Sequence, residues 1–446
     1  MFSLIRLPGE RGVKQEVREV LAEKYNYFKT EEKKLDQFLQ KFELFSFSDL
    51  DRKIKHGEDL TFEEAFFGMI YVLGGTNRLF KEKFFEDFSE REVQILGTSF
   101  LQSMAVKEAL KGLTPQEIAG MAGAVFHDLV IRIDFGKEVF EGCGMGGDKG
   151  FRKNKSKRVK TINVSTLVSV VLASLGIPVV KHGSYSNTSA LGSTEMIEMC
   201  GANTNLISLE KIREIFRKTN FFYADAHWCK TVHDLSHFLR VETVNHIIGP
   251  LTPPIASRTA IYRLMGVNEK VHPALVAKAY EILNEKKFQK IENGAIVCGL
   301  DRKGEEIDIE NLDEVKKHTI LDELSPFRSV VAIILKGKFV GVFSLTPKDF
   351  GIEISASSIE VPNKKETIFR ANLSALKGED RNLAKFLAMN ASLGLFVKEK
   401  LHLQDAIKKD GLNRDYLREC YEDCWKAIIE KKAYEILKKY VAFTKK

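Results

Sequence analysis

Apolar residues recur at three- and four-residue intervals between Asp49 and Leu129, a spacing that places them on one face of a helix. The pattern is clearest in residues 62–73, 93–106 and 115–130. Thr114-Pro115-Gln116-Glu117 predicts a helix start, with Thr114 as N-cap, proline at the first position and Glu117 completing a capping box. We therefore expect an all-helical domain over residues 46–132.

After Arg132 the pattern changes to short apolar runs separated by helical stretches. The runs are 177–180, 295–300, 330–335 and 339–343, and the helical stretches include 209–219 and 273–287. Strands that alternate with helices predict an α/β domain over residues 133–446 with a mainly parallel central sheet. Lys336-Gly337-Lys338 predicts a tight turn between two antiparallel strands. Residues 415–441 predict one long amphipathic helix.

Residues 1–45 are charged and helix-prone, and we expect them to form an N-terminal helical extension. The chain has 446 residues, more than one usual domain. The predicted fold class is therefore α/β, with a small all-helical N-terminal domain before a larger α/β domain.

Composition and cysteine usage favour a cytoplasmic globular protein. Hydrophobic residues make up 44% of the chain and charged residues 29%, values typical of a protein with a large core. No run approaches the roughly 20 apolar residues that span a bilayer, and MFSLIRLPGERG lacks the apolar stretch of a secretory signal. Of the six cysteines only Cys420 and Cys424 lie close together, one helical turn apart, where packing is the favoured role. The set forms no disulfide framework, which favours a reducing compartment.

The net charge of +7 comes from one segment, residues 149–160. It holds seven basic residues and no acidic one: Lys149, Arg152, Lys153, Lys155, Lys157, Arg158 and Lys160. A solvated loop and a lid over a polyanionic ligand fit this segment equally well. A nucleic-acid-binding patch is a third interpretation, which we favour less.

The segment 142–166 predicts a phosphate site. Glycines in GCGMGGD (142–148) let backbone N–H groups approach an anion and tolerate positive φ. Asn163, Ser165 and Thr166 then open an apolar helix, whose N-terminus carries unpaired N–H groups and partial positive charge. Taken alone, the glycine motif could be an ordinary turn, and the residues at 163–166 could be an ordinary helix cap. The two halves together favour phosphate binding.

A second anion site follows the run at 177–180. Lys181-His182-Gly183 comes directly after this predicted strand, and a loop rich in serine and threonine precedes Glu195. Polar residues past the carboxyl end of a strand are where open α/β sheets bind ligands. Lys181 can offer a charge to phosphate, and the hydroxyls available as donors are those of Ser186, Thr188, Ser189 and Ser193.

Two further clusters have weaker signals. Asp301, Glu305, Glu306 and Asp308 follow the run at 295–300, where carboxylates suit Mg²⁺ but also form ordinary acidic turns. His227, Cys229, His233 and His237 have irregular spacing for a zinc site, which favours helix-facing or substrate-contacting histidines.

These residues resemble a known family. The segments GCGMGGD…TINVST, KHGSYSNTSALGSTEMIEMCG, IIGPL, LTPKDFG and AMNASLGLFV are similar, in order, to anthranilate phosphoribosyltransferase and more broadly to the superfamily that includes pyrimidine nucleoside phosphorylases. The resemblance runs from about Asp59 to the C-terminus. It implies transfer of phosphoribose from phosphoribosyl pyrophosphate (PRPP) to anthranilate in tryptophan biosynthesis. It also implies a homodimer formed through the helical domain.

The resemblance assigns roles to particular residues. The PRPP-binding residues that it implies are Gly144, Gly146, Gly147, Asp148, Asn163, Ser165, Thr166, Lys181, Ser189 and Ser193. Lys181 and Asp148 are the residues we expect to act in catalysis. Two Mg²⁺ ions are implied, with Ser165, Glu305 and Glu306 as protein ligands, the last two standing in the place of an Asp-Glu pair.

The acceptor side departs from the family pattern. Met145 replaces a threonine of the glycine motif, Ser184-Tyr185 replaces Asn-Arg, and Trp228-Cys229 replaces His-Pro. The arginine that grips the anthranilate carboxylate in the family aligns near Ser236, with Arg240 the nearest candidate. The small aromatic acceptor is therefore expected to contact Ser184, Tyr185, His227 and Arg240, and anthranilate is the favoured acceptor.

Three alternative functions fit parts of the sequence. A PRPP-dependent transferase with another acceptor keeps the same donor site. A pyrimidine nucleoside phosphorylase is disfavoured because its Lys-x-Ser-Thr-Gly-Gly stretch is missing. A nucleic-acid-binding paralogue depends only on the basic segment 149–160, and its affinity for nucleic acid should fall steeply with salt.

Overall fold

The computed structural model describes residues 8–39, 45–154, 157–186, 189–239, 241–302 and 307–445. Contacts divide the chain into two units, and the first runs to Ile133 and includes residues 205–209 and 225–256. Its helices are α1 (Pro8–Lys24), α2 (Tyr27–Leu39), α3 (Phe47–Lys55), α4 (Phe62–Gly74), α5 (Arg78–Phe84), α6 (Glu90–Leu110) and α7 (Pro115–Asp128), joined later in the chain by α11 (Ala226–Cys229), α12 (His233–Leu239) and α13 (Asn245–Leu251).

Close helix packing forms the core of the first unit. A Cβ on Gly68 of α4 would lie 2.1 Å from the Phe100 ring of α6, and one on Gly120 of α7 would lie 2.2 Å from the Phe62 carbonyl oxygen of α4. The two glycines therefore let three helices approach more closely than any other residue would permit. The expected start of α7 is confirmed, because Thr114 accepts from the backbone N–H of Glu117 and the capping box is complete.

The second unit holds the strands and the remaining helices. Its strands are β1 (Val139–Gly144), β2 (Phe151–Asn154), β3 (Lys157–Lys160), β4 (Val179–Gly183), β5 (Phe221–Asp225), β6 (Ala260–Gly266), β7 (Lys290–Leu300), β8 (Thr319–Leu321), β9 (Ser329–Leu335), β10 (Lys338–Leu345), β11 (Val361–Pro362), β12 (Ile407–Lys408) and β13 (Gly411–Leu412). Its helices are α8 (Val164–Ser174), α9 (Ser193–Met199), α10 (Leu209–Thr219), α14 (Pro273–Glu285), α15 (Leu312–His318), α16 (Lys365–Leu376), α17 (Arg381–Glu399), α18 (Arg414–Ile429) and α19 (Lys432–Lys445).

An eight-stranded sheet organises this unit in the order β10-β9-β7-β6-β1-β4-β5, with β8 paired to β7. The pairs β4–β1, β1–β6 and β6–β7 are parallel, whereas β7–β9 and β9–β10 are antiparallel. Helices α8 and α17 pack on the central strands, and α14 packs on β7 and β9. The predicted fold class, a helical part with a mainly parallel α/β part, is confirmed.

Two local expectations have different outcomes. The tight turn before β10 is confirmed, with Lys336 and Gly337 at φ 50° and 79°, the left-handed pair that joins hairpin strands. The prediction of a single C-terminal helix over residues 415–441 is wrong. Lys431 adopts φ 61° and separates α18 from α19, because the left-handed conformation of this one residue ends the helical hydrogen-bond ladder. No described helix is long and apolar enough to cross a membrane.

Candidate active site

The glycine loop leaves β1 at the carboxyl edge of the sheet. Gly146 and Gly147 have φ values of 68° and 70°, in the region that favours glycine. The Met145 N–H donates to the Gly266 carbonyl at 3.0 Å, and Asn268 Nδ2 donates to the Gly146 carbonyl at 2.8 Å. The loop is therefore held open from the end of β6, as a backbone anion site requires.

An acidic pair that the sequence reasoning missed lies against this loop. The Gly146 N–H donates to Asp322 Oδ2 at 2.7 Å, and a Cβ on Gly144 would lie 2.3 Å from the same oxygen. Glu323 follows and accepts from the Thr161 hydroxyl at 2.5 Å. Gly144 must therefore be glycine because the Asp322 carboxylate occupies the space of a side chain. Glu305 and Glu306, the expected metal ligands, lie outside the described residues.

Carboxylates at this edge repel one another. Burial raises the pKa of Asp148 to about 6, an effect that Asp322 and Glu269 increase and Lys160 opposes. Burial, Asp322 and Asp148 together hold the pKa of Glu323 well above its ordinary value. Burial and mutual repulsion both disfavour the charged forms of these carboxyls, and a bound cation would offset both effects.

The start of α8 belongs to the same unit. Asn163 precedes the helix, and its backbone N–H and side-chain oxygen form a reciprocal pair with the Asn372 amide at 2.8 and 2.7 Å. Its Nδ2 donates to the Leu191 carbonyl at 3.0 Å. The Val164 N–H donates to the Ile162 carbonyl at 2.9 Å. Because the Asn163 side chain turns to its other partners and makes no cap hydrogen bond, the N–H groups of Ser165 and Thr166 remain for an anion.

Strand β4 brings Lys181 to this helix start. Lys181 is 2% exposed, and Nζ donates to the His182 carbonyl. A Cβ on Gly183 would lie 3.2 Å from Lys181 Nζ and 2.9 Å from Ser193 Cβ, and the Thr166 hydroxyl donates to Ser193 Oγ at 3.0 Å. The ammonium, the two hydroxyls and the helix start therefore form one polar group.

The charge of Lys181 depends on its surroundings. Burial lowers the pKa of Lys181 to about 8, although Cys143 and the Asp322 carboxylate act in the opposite direction. Behind the lysine, the buried Glu141 carboxylate is ion-paired with Arg263 of β6, and its Oε1 lies 2.7 Å from His182 Nδ1. These contacts tie β4, β1 and β6 together and fix the backbone that carries Lys181.

The other side chains expected to contact substrate form hydrogen bonds to residues near them in the chain. Ser189 Oγ donates to the Leu191 carbonyl at 3.0 Å, Ser184 Oγ donates to the Tyr185 carbonyl at 3.1 Å, and the Tyr185 hydroxyl donates to Glu198 at 3.0 Å. These groups form local bonds within the second unit. Ser165 lies half-buried in the first turn of α8.

The histidine segment belongs to the first unit. The His227 N–H donates to Asp225 Oδ1 at 2.7 Å, and its ring lies 6.3 Å from that of His233, centroid to centroid. Arg240 and the side chain of His237 lie outside the described part of the chain, as do the side chains of residues 152–158 in the basic segment. Among the described residues, no group of three or more histidine, cysteine or acidic side chains is arranged to hold a metal ion by itself.

Comparison with known proteins identifies the family. The family described as glycosyl transferase family, a/b domain, matches residues 138–412. The chain is 31% identical over 353 residues to an anthranilate phosphoribosyltransferase of Pyrococcus abyssi, covering 78% of this chain and 89% of that protein. It is 27% identical over 404 residues to that of Aquifex aeolicus, covering 89% of this chain and 98% of the relative.

Solved structures share the fold. Anthranilate phosphoribosyltransferase from Saccharomyces cerevisiae, in complex with PRPP and Mg, superposes with a TM-score of 0.64 at 19% identity, covering 90% of this chain and 98% of that one. The Thermus thermophilus protein gives a TM-score of 0.62 at 23% identity, with 89% and 100% covered. From the family match and the sequence identity to its members, the chain belongs to the anthranilate phosphoribosyltransferase family of glycosyl transferases.

Proposed function

We propose that the chain transfers the phosphoribosyl group of PRPP to anthranilate and releases pyrophosphate. One observation carries the proposal: the glycine loop, the start of α8, Lys181 and the Asp322–Glu323 pair belong to one unit. Hydrogen bonds and close approaches join the loop to Asp322, Thr161 to Glu323, and Lys181 and Thr166 to Ser193, and Lys181 interacts electrostatically with Asp322. Such a set of backbone N–H groups, one ammonium and carboxylates suits a magnesium-bound diphosphate. The relatives named above point to the same donor.

The reaction makes simple demands on the protein. As the C1–pyrophosphate bond breaks, negative charge grows on the leaving group and positive charge on the ribose, while the amine nitrogen bonds to C1 and gives up a proton. Lys181 and the N–H groups of Ser165 and Thr166 in the first turn of α8 would stabilise the leaving pyrophosphate. The hydroxyls of Thr166 and Ser193 would donate to its oxygens. The protein thus contributes positioning and charge, with no covalent intermediate.

Magnesium fits the acidic pair. Mg²⁺ binds one or two protein carboxylates and takes its other ligands from water and substrate phosphates, so the two adjacent carboxylates of Asp322 and Glu323 are sufficient. Burial raises the pKa of Glu323, and Asp322 and Asp148 add to the effect, so a bound cation would favour its charged form. When bound, the ion would neutralise the pyrophosphate as it leaves. The resemblance implies two such ions, with Ser165 as a further ligand.

The acceptor is proposed from the family. The test is to incubate the chain with PRPP and Mg²⁺ and to measure pyrophosphate release with anthranilate, other aromatic amines and nucleobases. We expect release with anthranilate. Release only with another amine would refute the acceptor and keep the donor, whereas no release with any acceptor and no PRPP binding would refute the donor site.

A homodimer through the helical part is also proposed. Ile95, Val106 and Leu110 of α6 are 55%, 55% and 83% exposed, and their spacings of eleven and four residues place them along one face. A second copy of the chain would cover this apolar stripe. Light scattering should give the mass of two chains for the wild type and of one chain for Leu110→Glu. Leu403→Glu, which charges an exposed leucine elsewhere, should remain dimeric.

A further inference from the structure

Asn268 fixes the orientation of one peptide bond in the glycine loop. It follows the end of β6 and is 1% exposed. Its Nδ2 donates to the Gly146 carbonyl oxygen at 2.8 Å, and its Oδ1 accepts from the Lys270 N–H at 3.1 Å. Because both ends of the amide are bonded, rotation of the side chain would break a hydrogen bond. The Gly146 carbonyl is therefore held in one direction.

The direction of this carbonyl determines the direction of the next N–H group. In a planar trans peptide the C=O of one residue and the N–H of the following residue point in opposite directions. The Gly146 carbonyl faces Asn268, beyond the end of β6, so the Gly147 N–H faces away from β6. In the sheet order β6-β1-β4 the strand on that other side of the loop is β4, which carries Lys181.

The N–H groups of the loop divide into two sets. One set is bonded to the surrounding fold: the Met145, Gly146 and Gly150 N–H groups donate to the Gly266 carbonyl, Asp322 Oδ2 and the Ile320 carbonyl at 3.0, 2.7 and 2.8 Å. The other set, the N–H groups of residues 147–149, has no hydrogen-bond partner among the residues that the structure describes. Three consecutive unbonded N–H groups between two anchored ends are the arrangement that binds an anion.

We propose that Asn268 is a positioning residue for PRPP: by holding the Gly146 carbonyl it directs the Gly147 N–H toward the diphosphate of the substrate. The inference rests on the proposed function, since it names the loop N–H group that the donor uses. It also separates the roles of the two glycines. The Gly146 N–H is bonded to Asp322, so the anion is bound from the next residue onward.

Two substitutions at Asn268 test this role. Asn268→Asp keeps the shape of the side chain but places an acceptor against the Gly146 carbonyl, and Asn268→Ala removes the amide. We expect either change to raise the Kd and the KM of PRPP by about tenfold, because the Gly147 N–H loses its alignment with a charged acceptor. The KM of the amine acceptor should stay unchanged.

Asn284→Ala is the matched control. The Asn284 amide also braces backbone, with Nδ2 donating to the Ile291 carbonyl and Oδ1 accepting from the Ile291 N–H, both at 2.8 Å. Ile291 lies near the start of β7, whereas the glycine loop lies at the carboxyl edge of the sheet. This variant should unfold at a lower urea concentration than the wild type and bind PRPP with unchanged affinity.

Nuclear magnetic resonance can observe the Gly147 N–H directly. The chain contains two Gly-Gly peptide bonds, 74–75 and 146–147. Protein labelled with glycine carrying both ¹³C and ¹⁵N therefore gives two signals in a spectrum that selects ¹⁵N bonded to a ¹³C carbonyl. We expect PRPP with Mg²⁺ to shift the Gly147 proton downfield in the wild type. The Gly75 signal should not move, because its N–H already donates to the Val72 carbonyl at 3.2 Å. In Asn268→Ala the Gly147 shift should be smaller.

Two results would overturn the inference. One is a Gly147 signal that does not move in a wild-type protein that binds PRPP, and this result is decisive even if neither Asn268 variant folds. The other is normal PRPP affinity in a folded Asn268→Asp or Asn268→Ala protein, which would mean that the amide only braces the fold, as that of Asn284 does. Either result leaves the proposed function intact. Failure of the wild type to bind PRPP at all, measured by calorimetry, would instead refute the proposed function.

Discussion

Replacing Lys181 by methionine should stabilise the empty protein and weaken donor binding. Methionine has a similar unbranched length without the charge. Burial lowers the pKa of Lys181 from 10.5 to about 8, which means that the fold holds this ammonium at a cost. At about 1.4 kcal/mol for each pKa unit, that cost is about 3 kcal/mol at pH 7.

The lowered pKa of Lys181 determines how the free energy of unfolding changes with pH. Between pH 8 and 10.5 the unfolded chain binds more protons at this lysine than the folded chain, so the stability of the wild type rises with pH. The methionine variant lacks this dependence. Its advantage in free energy of unfolding should therefore fall from about 3 kcal/mol at pH 7 to about 1 kcal/mol at pH 9.5.

Urea unfolding at pH 7 and pH 9.5 measures the change in stability of the empty protein. Calorimetric titration with magnesium and PRPP measures the loss of donor binding. We expect turnover to fall by about 10²-fold or more, because the leaving pyrophosphate loses a fixed positive charge. Lys409→Met, at an exposed position, should change stability by less than about 0.5 kcal/mol at either pH. A Lys181→Met protein that is less stable than wild type at pH 7, or that binds PRPP normally, would refute the reasoning.

Two further substitutions test individual contacts. Gly144→Ala would place a Cβ 2.3 Å from Asp322 Oδ2, so we expect PRPP affinity to fall by about tenfold or more because the carboxylate must move; unchanged affinity by calorimetry would contradict the assigned position of Asp322. Asp128→Ala in the first unit would remove an acceptor shared by the backbone N–H groups of Thr231 and Val232 at 2.7 and 2.8 Å. The Asn77 amide and the Thr231 hydroxyl also donate to this carboxylate, at 2.8 and 2.7 Å, so four donors would lose their acceptor. Urea unfolding should show a loss of about 3 kcal/mol, whereas a loss below about 1 kcal/mol would show that other groups or water replace the carboxylate.

The sequence predicted elements whose causes are local. The capping box at Thr114 and the turn at Lys336-Gly337 depend on residues within four positions of one another, and both are confirmed. The family and the fold class were also predicted, because the glycine motif and the segment after Lys181 have compact signatures. The break at Lys431 could not be predicted, since nothing in the lysine-rich sequence there distinguishes a left-handed residue from a helical one.

The acidic pair shows what local patterns miss. Asp322 and Glu323 follow the three-residue strand β8, too short for any periodicity, whereas the dense acidic run at 301–308 attracted the metal prediction. One signal was available: two adjacent acids directly after an apolar run, at the end of a strand. The partners that hold Asn163 are more distant still, because Asn372 lies 209 residues away and only the fold brings the two amides together.

The two substrates differ in how strongly they constrain the sequence. A diphosphate is bound largely by backbone N–H groups, and that requires glycines at positive φ and an open helix start, which leave a signature in any chain that binds it. An aromatic acid needs only a few side chains, and many residue types can supply the same contact. A change at His227 or Ser184 therefore alters no recognisable sequence motif. An arginine that binds a carboxylate can likewise come from any nearby segment. For this reason the donor follows from the motif, whereas the acceptor has to be measured.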